Sequence, residues 1–168
     1  MRVMGIDPGS LCTGYGIVEE TGGRLTNVHF GSIQSKSKSP FEYRLKLIYD
    51  GLSAVIDEYQ PDAVAVEDVF FAANAQSTIK LGQARGVALL AAANADITLA
   101  EYAPLEVKQS VVGYGRADKH QVRDMVTAIL KLKQKPESLD ASDALAVAIC
   151  HLHSYKARAR LKAGVDLR

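Results

Sequence analysis

The sequence predicts an α/β protein built on a mixed five-stranded sheet flanked by helices. Three observations carry this. The chain opens with three β-like segments in a row, the first two pairs broken by glycine turns. Helical and strand patterns then alternate. The last long pattern is apolar almost all round, as a buried helix requires. The Gly-Gly link between the second and third segments favours a hairpin, and an antiparallel start separates this sheet from a doubly wound parallel one.

The elements follow in order. Arg2–Asp7 reads as a strand stopped by Pro8–Gly9. Thr13–Glu20 and Leu25–Gln34 are the next strands, joined through Gly22–Gly23. After the polar SKSKS segment, Ser39, Pro40 and Glu42 occupy the N-cap, N1 and N3 positions of a capping box. Phe41, Leu45, Ile48, Leu52, Val55 and Tyr59 then form one apolar helical stripe, ended by Pro61. Ala63–Glu67 is a short apolar strand of the kind buried on both faces. A helix over Asn74–Asn94 carries Gly82 and Gly86, spaced for close approach of another backbone. Ile97–Tyr102 is the fifth strand, and Pro104–Val112 is a short helix closed by Gly113. Asp118 and Gln121 cap a helix with Val122, Met125, Val126 and Ile129 on one face. The final helix starts at Leu139. Residues 1–155 are expected to form one domain, with 156–168 a basic, fraying tail.

Composition narrows the functional class. Of the 168 residues, 48% are hydrophobic and 23% charged, which excludes intrinsic disorder. Cys12 and Cys150 are the only cysteines, so neither a disulfide framework nor a zinc site is offered, and a reducing interior is expected. No run approaches a membrane span and the N-terminus lacks a signal-peptide layout; a soluble, cytoplasmic protein is expected. The net charge is +1, but residues 1–70 hold 6 Lys+Arg against 10 Asp+Glu, and residues 71–168 hold 14 against 9. The basic second part suits a polyanionic partner.

Four acids stand out by position. Asp7 and Glu67 end apolar strands, at the strand ends where open α/β sheets gather ligands. Asp140 and Asp143 open the apolar last helix, three residues apart and on one face. Each also has an ordinary explanation: Asp7 as a turn residue, Glu67 as a solvated strand end, and Asp140 with Asp143 as helix caps. If the four converge, their mutual repulsion calls for cations. An all-carboxylate set suits one or two Mg²⁺ ions, with Mn²⁺ as a substitute. Two ions fit in-line phosphodiester hydrolysis.

The chain resembles the RuvC family of bacterial Holliday-junction resolvases, within the ribonuclease-H-like superfamily. The likeness runs through GIDPGSLCTGYG (5–16), RLKLIY (44–49), VEDVFFAANAQSTIKLGQARGVA (66–88), EVKQSVVGYGRADKHQV (106–122) and DASDALAVAI (140–149). The resemblance implies a ribonuclease-H-like fold, with Asp7, Glu67, Asp140 and Asp143 as metal-binding acids. It further implies a homodimer that resolves a four-way DNA junction by paired nicks in strands of like polarity. The ends left would be 5′-phosphate and 3′-hydroxyl, and the protein would work beside the RuvA–RuvB branch-migration machinery. Phe70 matches the family's base-stacking aromatic, with Phe71 as the competing choice and a core position as the ordinary one. Lys108 and Lys119 match lysines near the scissile phosphate, and Arg85 is a candidate backbone contact. The helix of Gly82 and Gly86 matches the dimer helix; packing against its own sheet is the alternative. His120, His151 and His153 read as ordinary surface or core residues. A nuclease for another branched or hybrid substrate and a junction-binding architectural protein are the competing readings.

Overall fold

A computed structural model describes residues 1–68 and 74–165, the last ten of these by their backbone alone. The strands are β1 (Arg2–Asp7), β2 (Cys12–Thr21), β3 (Arg24–Gln34), β4 (Ala63–Glu67) and β5 (Thr98–Tyr102). The helices are α1 (Phe41–Tyr59), α2 (Ala75–Asn94), α3 (Pro104–Val112), α4 (Lys119–Ile129) and α5 (Leu139–Val165). The sheet order is β3-β2-β1-β4-β5. The β1–β2 and β2–β3 pairs are antiparallel, whereas β1–β4 and β4–β5 are parallel. This is the expected mixed sheet. Gly22 and Gly23 link β2 to β3 as a hairpin at φ of 59° and 87°, left-handed values that glycine adopts without strain.

The pleat sorts side chains onto two cores. Val3, Val18, Ala63, Ala65 and Tyr102 pack with α3, α4 and α5 on one face. Met4, Ile6, Ile17, Val64 and Val66 pack with α1 and α2 on the other. Helix α5 lies very close to β1 and β2. A Cβ at Gly5 would stand 2.0 Å from the Ala144 carbonyl oxygen, and one at Gly14 would stand 2.0 Å from that of Asp140. Only glycine leaves room for this approach.

Several element details differ from expectation. Helix α1 begins at Phe41 with Pro40 at its cap and no side-chain cap bond. The capping box is absent because Pro40 is extended (ψ 144°) and the Ser39 N–H donates to the Lys36 carbonyl. The fully buried line of α1 is Arg44, Ile48, Leu52 and Ile56, while Phe41, Leu45, Val55 and Tyr59 flank it, partly buried. In α4 the capping box on Asp118 and Gln121 forms as expected, and Val122 and Val126 are buried, but Met125 faces solvent. Helix α5 runs on through the basic segment to Val165. Among the described residues, no helix is long and apolar enough to cross a membrane.

Candidate active site

Strand alternation decides where the first two acids point. On β1, Val3 belongs to the α5-side core and Met4 and Ile6 to the opposite one. Two steps beyond Gly5, Asp7 returns to the α5 side. On β4, Ala63 and Ala65 face α5, so Glu67 does as well. The two strands are parallel neighbours in register, Ile6 opposite Val66, which places Asp7 and Glu67 side by side at the carboxyl end. The charge of each weighs on the other.

Helix α5 brings the second pair. Its start is seated over Gly14, the β2 partner of Asp7. The capping explanation for Asp140 and Asp143 gives way to another residue: Ser138 Oγ accepts the Ala141 N–H at 3.3 Å. Released from capping, Asp143 accepts from Lys119 Nζ at 2.8 Å, with its side chain 14% exposed. Asp140 stands near Cys12, and burial first, then Asp140, push the Cys12 thiol pKa up to about 11.

The electrostatics tie the four acids into one site. Burial, and then the charges of Glu67, Asp143 and Asp140, hold the Asp7 carboxyl well above the usual carboxylate range, with Lys119 opposing them. Burial first and Asp143 second raise Glu67 to about 7, while Lys119, Asp7 and Lys108 pull it back. Burial also raises Asp143, against the bond from Lys119. Burial works against the Lys119 ammonium, but Asp143, Asp7 and Asp140 outweigh it and raise its pKa. Lys108, half-buried on α3, favours the ionised forms of both Glu67 and Asp143. The structure thus brings together six of the residues the sequence singled out: Asp7, Glu67, Asp140, Asp143, Lys108 and Lys119.

The donor set fits a hard divalent cation in its chemistry: it is all oxygen, four carboxyl groups against two lysines, with Asp7, Glu67 and Asp143 raised by burial and by neighbouring acids. As the side chains stand, no group of three or more His, Cys, Asp or Glu among the described residues would grip a metal ion. Asp143 is instead engaged by Lys119.

The remaining candidates fall elsewhere. Arg85 is paired with Asp68 at 3.3 Å and with Glu101, its side chain 19% exposed, so its charge is already directed at two carboxylates. Phe70 and Phe71 lie outside the described residues. His151 is buried, bonded to the Tyr102 hydroxyl at 3.0 Å; His153 meets Ser110 at 3.2 Å and His120 meets Arg123 at 3.2 Å. Among the described residues, a Cβ on Gly82 or Gly86 would meet nothing within 4 Å, so packing against the described part of the sheet does not account for either glycine. Ile79 and Leu90 are exposed on the same helix.

Sequence reasoning missed Cys12 and Ser138. Cys12 carries no local signal, since Asp140 is brought to it only by the seating of α5. Ser138 is a cap-type residue directly before the apolar run, and that signal was sufficient to find it.

Comparisons with known proteins bear on the family and the fold. The family model of crossover junction endodeoxyribonuclease RuvC matches residues 3–151. A crossover junction endodeoxyribonuclease RuvC of Pelobacter propionicus is 59% identical over 155 residues, covering 92% of this chain and 88% of that protein. The Geobacter sulfurreducens protein of that name is 56% identical, covering 92% and 93%. Among solved structures, T. thermophilus RuvC in complex with a Holliday junction substrate superposes with a TM-score of 0.84 at 36% identity, covering 90% of this chain and 93% of that one. The yeast mitochondrial Holliday junction resolvase Ydc2, at 10% identity and a TM-score of 0.63, shares the fold.

Proposed function

This chain belongs to the crossover junction endodeoxyribonuclease RuvC family, and from that premise we propose that it resolves four-way DNA junctions by hydrolysing phosphodiester bonds. The observation that carries this reading is the convergence of Asp7, Glu67, Asp140 and Asp143, from three separate stretches of chain, in one electrostatically coupled site. Symmetric nicks in strands of like polarity, leaving 5′-phosphate and 3′-hydroxyl ends, are the chemistry proposed.

The four acids are the residues that would hold divalent cations, Mg²⁺ or its substitute Mn²⁺, two per site. Bound there, the cations would supply Lewis-acid stabilisation of the phosphate undergoing attack. The protein's own groups do the rest. Lys119, freed from Asp143, and Lys108 place positive charge where the phosphate's negative charge grows. Asp7 and Glu67, side by side at the carboxyl ends of β1 and β4, would serve in their ionised forms as ligands. Phe70 is proposed to stack on a base opened at the crossover. Arg85 would reach the DNA backbone only on leaving its carboxylate partners.

A homodimer supplies the second site that paired nicking needs. The open stripe of α2, with Ile79, Gly82, Gly86 and Leu90, supports that helix as the contact. The RuvA–RuvB branch-migration complex is the proposed partner assembly.

The test compares linear duplex, RNA–DNA hybrid and synthetic mobile four-way junction in a nicking assay, with and without EDTA. Paired nicks confined to the junction and abolished by EDTA are expected. Preferential cutting of the hybrid favours a different ribonuclease-H-like activity, and EDTA-resistant cutting removes the metal-assisted mechanism.

A further inference from the structure

The four acids leave unused a buried cation on the far side of the sheet. Arg44, in the RLKLIY segment of α1, is only 7% exposed. It occupies the buried stripe that continues as Ile48, Leu52 and Ile56, where an aliphatic side chain would pack without desolvating a charge. A guanidinium at such a place must satisfy its donors, and the partner it finds is backbone. Nε donates to the Ser10 carbonyl at 2.9 Å, and Nη2 donates to the same oxygen. The Phe41 ring lies 5.3 Å from the guanidinium carbon.

Ser10 lies three residues beyond Asp7, in the turn joining β1 to β2. That turn is fastened from several sides. The fully buried Thr13 hydroxyl donates to the Gly9 carbonyl at 2.8 Å and accepts the Gly9 N–H at 3.3 Å. The Ser35 N–H donates to the Leu11 carbonyl at 2.9 Å, and its hydroxyl reaches the Ser10 and Leu11 carbonyls. A Cβ at Gly9 would stand 2.1 Å from the Cys12 carbonyl oxygen, so the turn is closely folded. Beyond it, Leu11 and Cys12 form one wall of a groove of about 740 Å³ that also includes Lys119 and Asp140. The turn therefore both leaves Asp7 and borders the cluster.

We propose that Arg44 is a positioning residue for the hydrolytic reaction: from α1 it anchors the Ser10 carbonyl and so fixes the 8–11 turn against Asp7 and the groove wall. It touches no acid of the site and acts through the backbone it holds. The inference rests on the nuclease reading above.

The experiment uses Arg44→Met, which keeps an apolar chain on the buried stripe, and Arg44→Lys, which retains the charge and one donor but loses the two-nitrogen grip. Thermal melting, amide hydrogen exchange of residues 8–13, single-turnover cleavage and junction affinity are measured on the whole chain. Arg44→Met is expected to stay folded, to speed exchange in 8–13, and to slow cleavage by about tenfold or more with junction Kd nearly unchanged. Arg44→Lys is expected to recover part of both losses. If Arg44→Met does not fold, the same comparison is read from Arg44→Lys against the unsubstituted chain. Unchanged cleavage overturns the proposal, as does slowed cleavage with unchanged exchange in 8–13, or a loss that merely follows the unfolded fraction. An unsubstituted chain that cuts no junction overturns the nuclease reading itself, a result distinct from any of these.

Discussion

Two sets of carboxylates stand at the same end of the sheet, one residue apart in sequence and on opposite faces. On the α2 face, Asp68 and Glu101 meet Arg85. On the α5 face, Asp7 feels Glu67, Asp143 and Asp140, four buried or half-buried acids against Lys119 and Lys108. In the first set one guanidinium is shared by two carboxylates that stay about half exposed, so solvent screens the charge left over. In the second, burial first and neighbouring acids next hold Asp7, Glu67 and Asp143 above the ordinary carboxylate range, the kind of perturbation that clusters at functional sites. Adjacent residues such as Glu67 and Asp68 thus carry different duties because the pleat sends them to different faces.

Substitution should separate the two sets most sharply. Asp7→Asn, Glu67→Gln, Asp140→Asn and Asp143→Asn are each expected to slow junction cleavage by roughly 10²-fold or more while leaving gel-shift affinity largely intact. Asp68→Asn and Glu101→Gln should leave the rate within a few-fold. Full cutting by any member of the first group removes that residue from the site.

Lys119→Met sharpens the comparison within the α5 face. Loss of its charge raises Asp143, Glu67 and Asp7 further, so the pH–rate profile should move to the alkaline side, with the rate near neutrality down by about tenfold. A lower rate on an unmoved profile would mean that Lys119 serves only to bind DNA.

Stability against pH gives a smaller effect. The folded value of Glu67, about 7, lies above its ordinary 4.5, so between these the folded chain binds more protons than the unfolded one. Stability therefore falls as pH rises through that window, and Asp7 adds in the same direction. Millimolar Mg²⁺ should restore it above pH 7, raising Tm by a few degrees, with little effect at pH 5. Glu67→Gln should abolish the Mg²⁺ response; a cation-independent Tm at pH 8 would argue against ligation by these acids.

Arg85→Gln carries the smallest expected effect, at most about 1 kcal/mol of stability, because both its partners are about half exposed. If its charge serves only Asp68 and Glu101, junction affinity and its salt dependence stay unchanged. A weaker, less salt-sensitive complex would show that it leaves them for phosphate.

The linear pattern of residues sufficed for the local elements. Gly22–Gly23 specified a tight hairpin, AVAVE a doubly buried strand, Asp118 with Gln121 a helix start, and Gly113 a helix end, because each depends on neighbours within a few positions. Asp7 and Glu67 were legible as acids closing apolar strands. The assignment of duties was not. Whether Asp140 and Asp143 were caps rested on Ser138 taking that bond, and whether Gly82 and Gly86 served their own sheet rested on the open space beside them. Arg44 escaped the apolar pattern altogether, since its burial is justified by a carbonyl 34 residues away. Secondary structure answers to short-range propensity and periodicity. The charge balance of a buried acid or a buried guanidinium answers to whatever the folded chain brings beside it, from any distance in sequence.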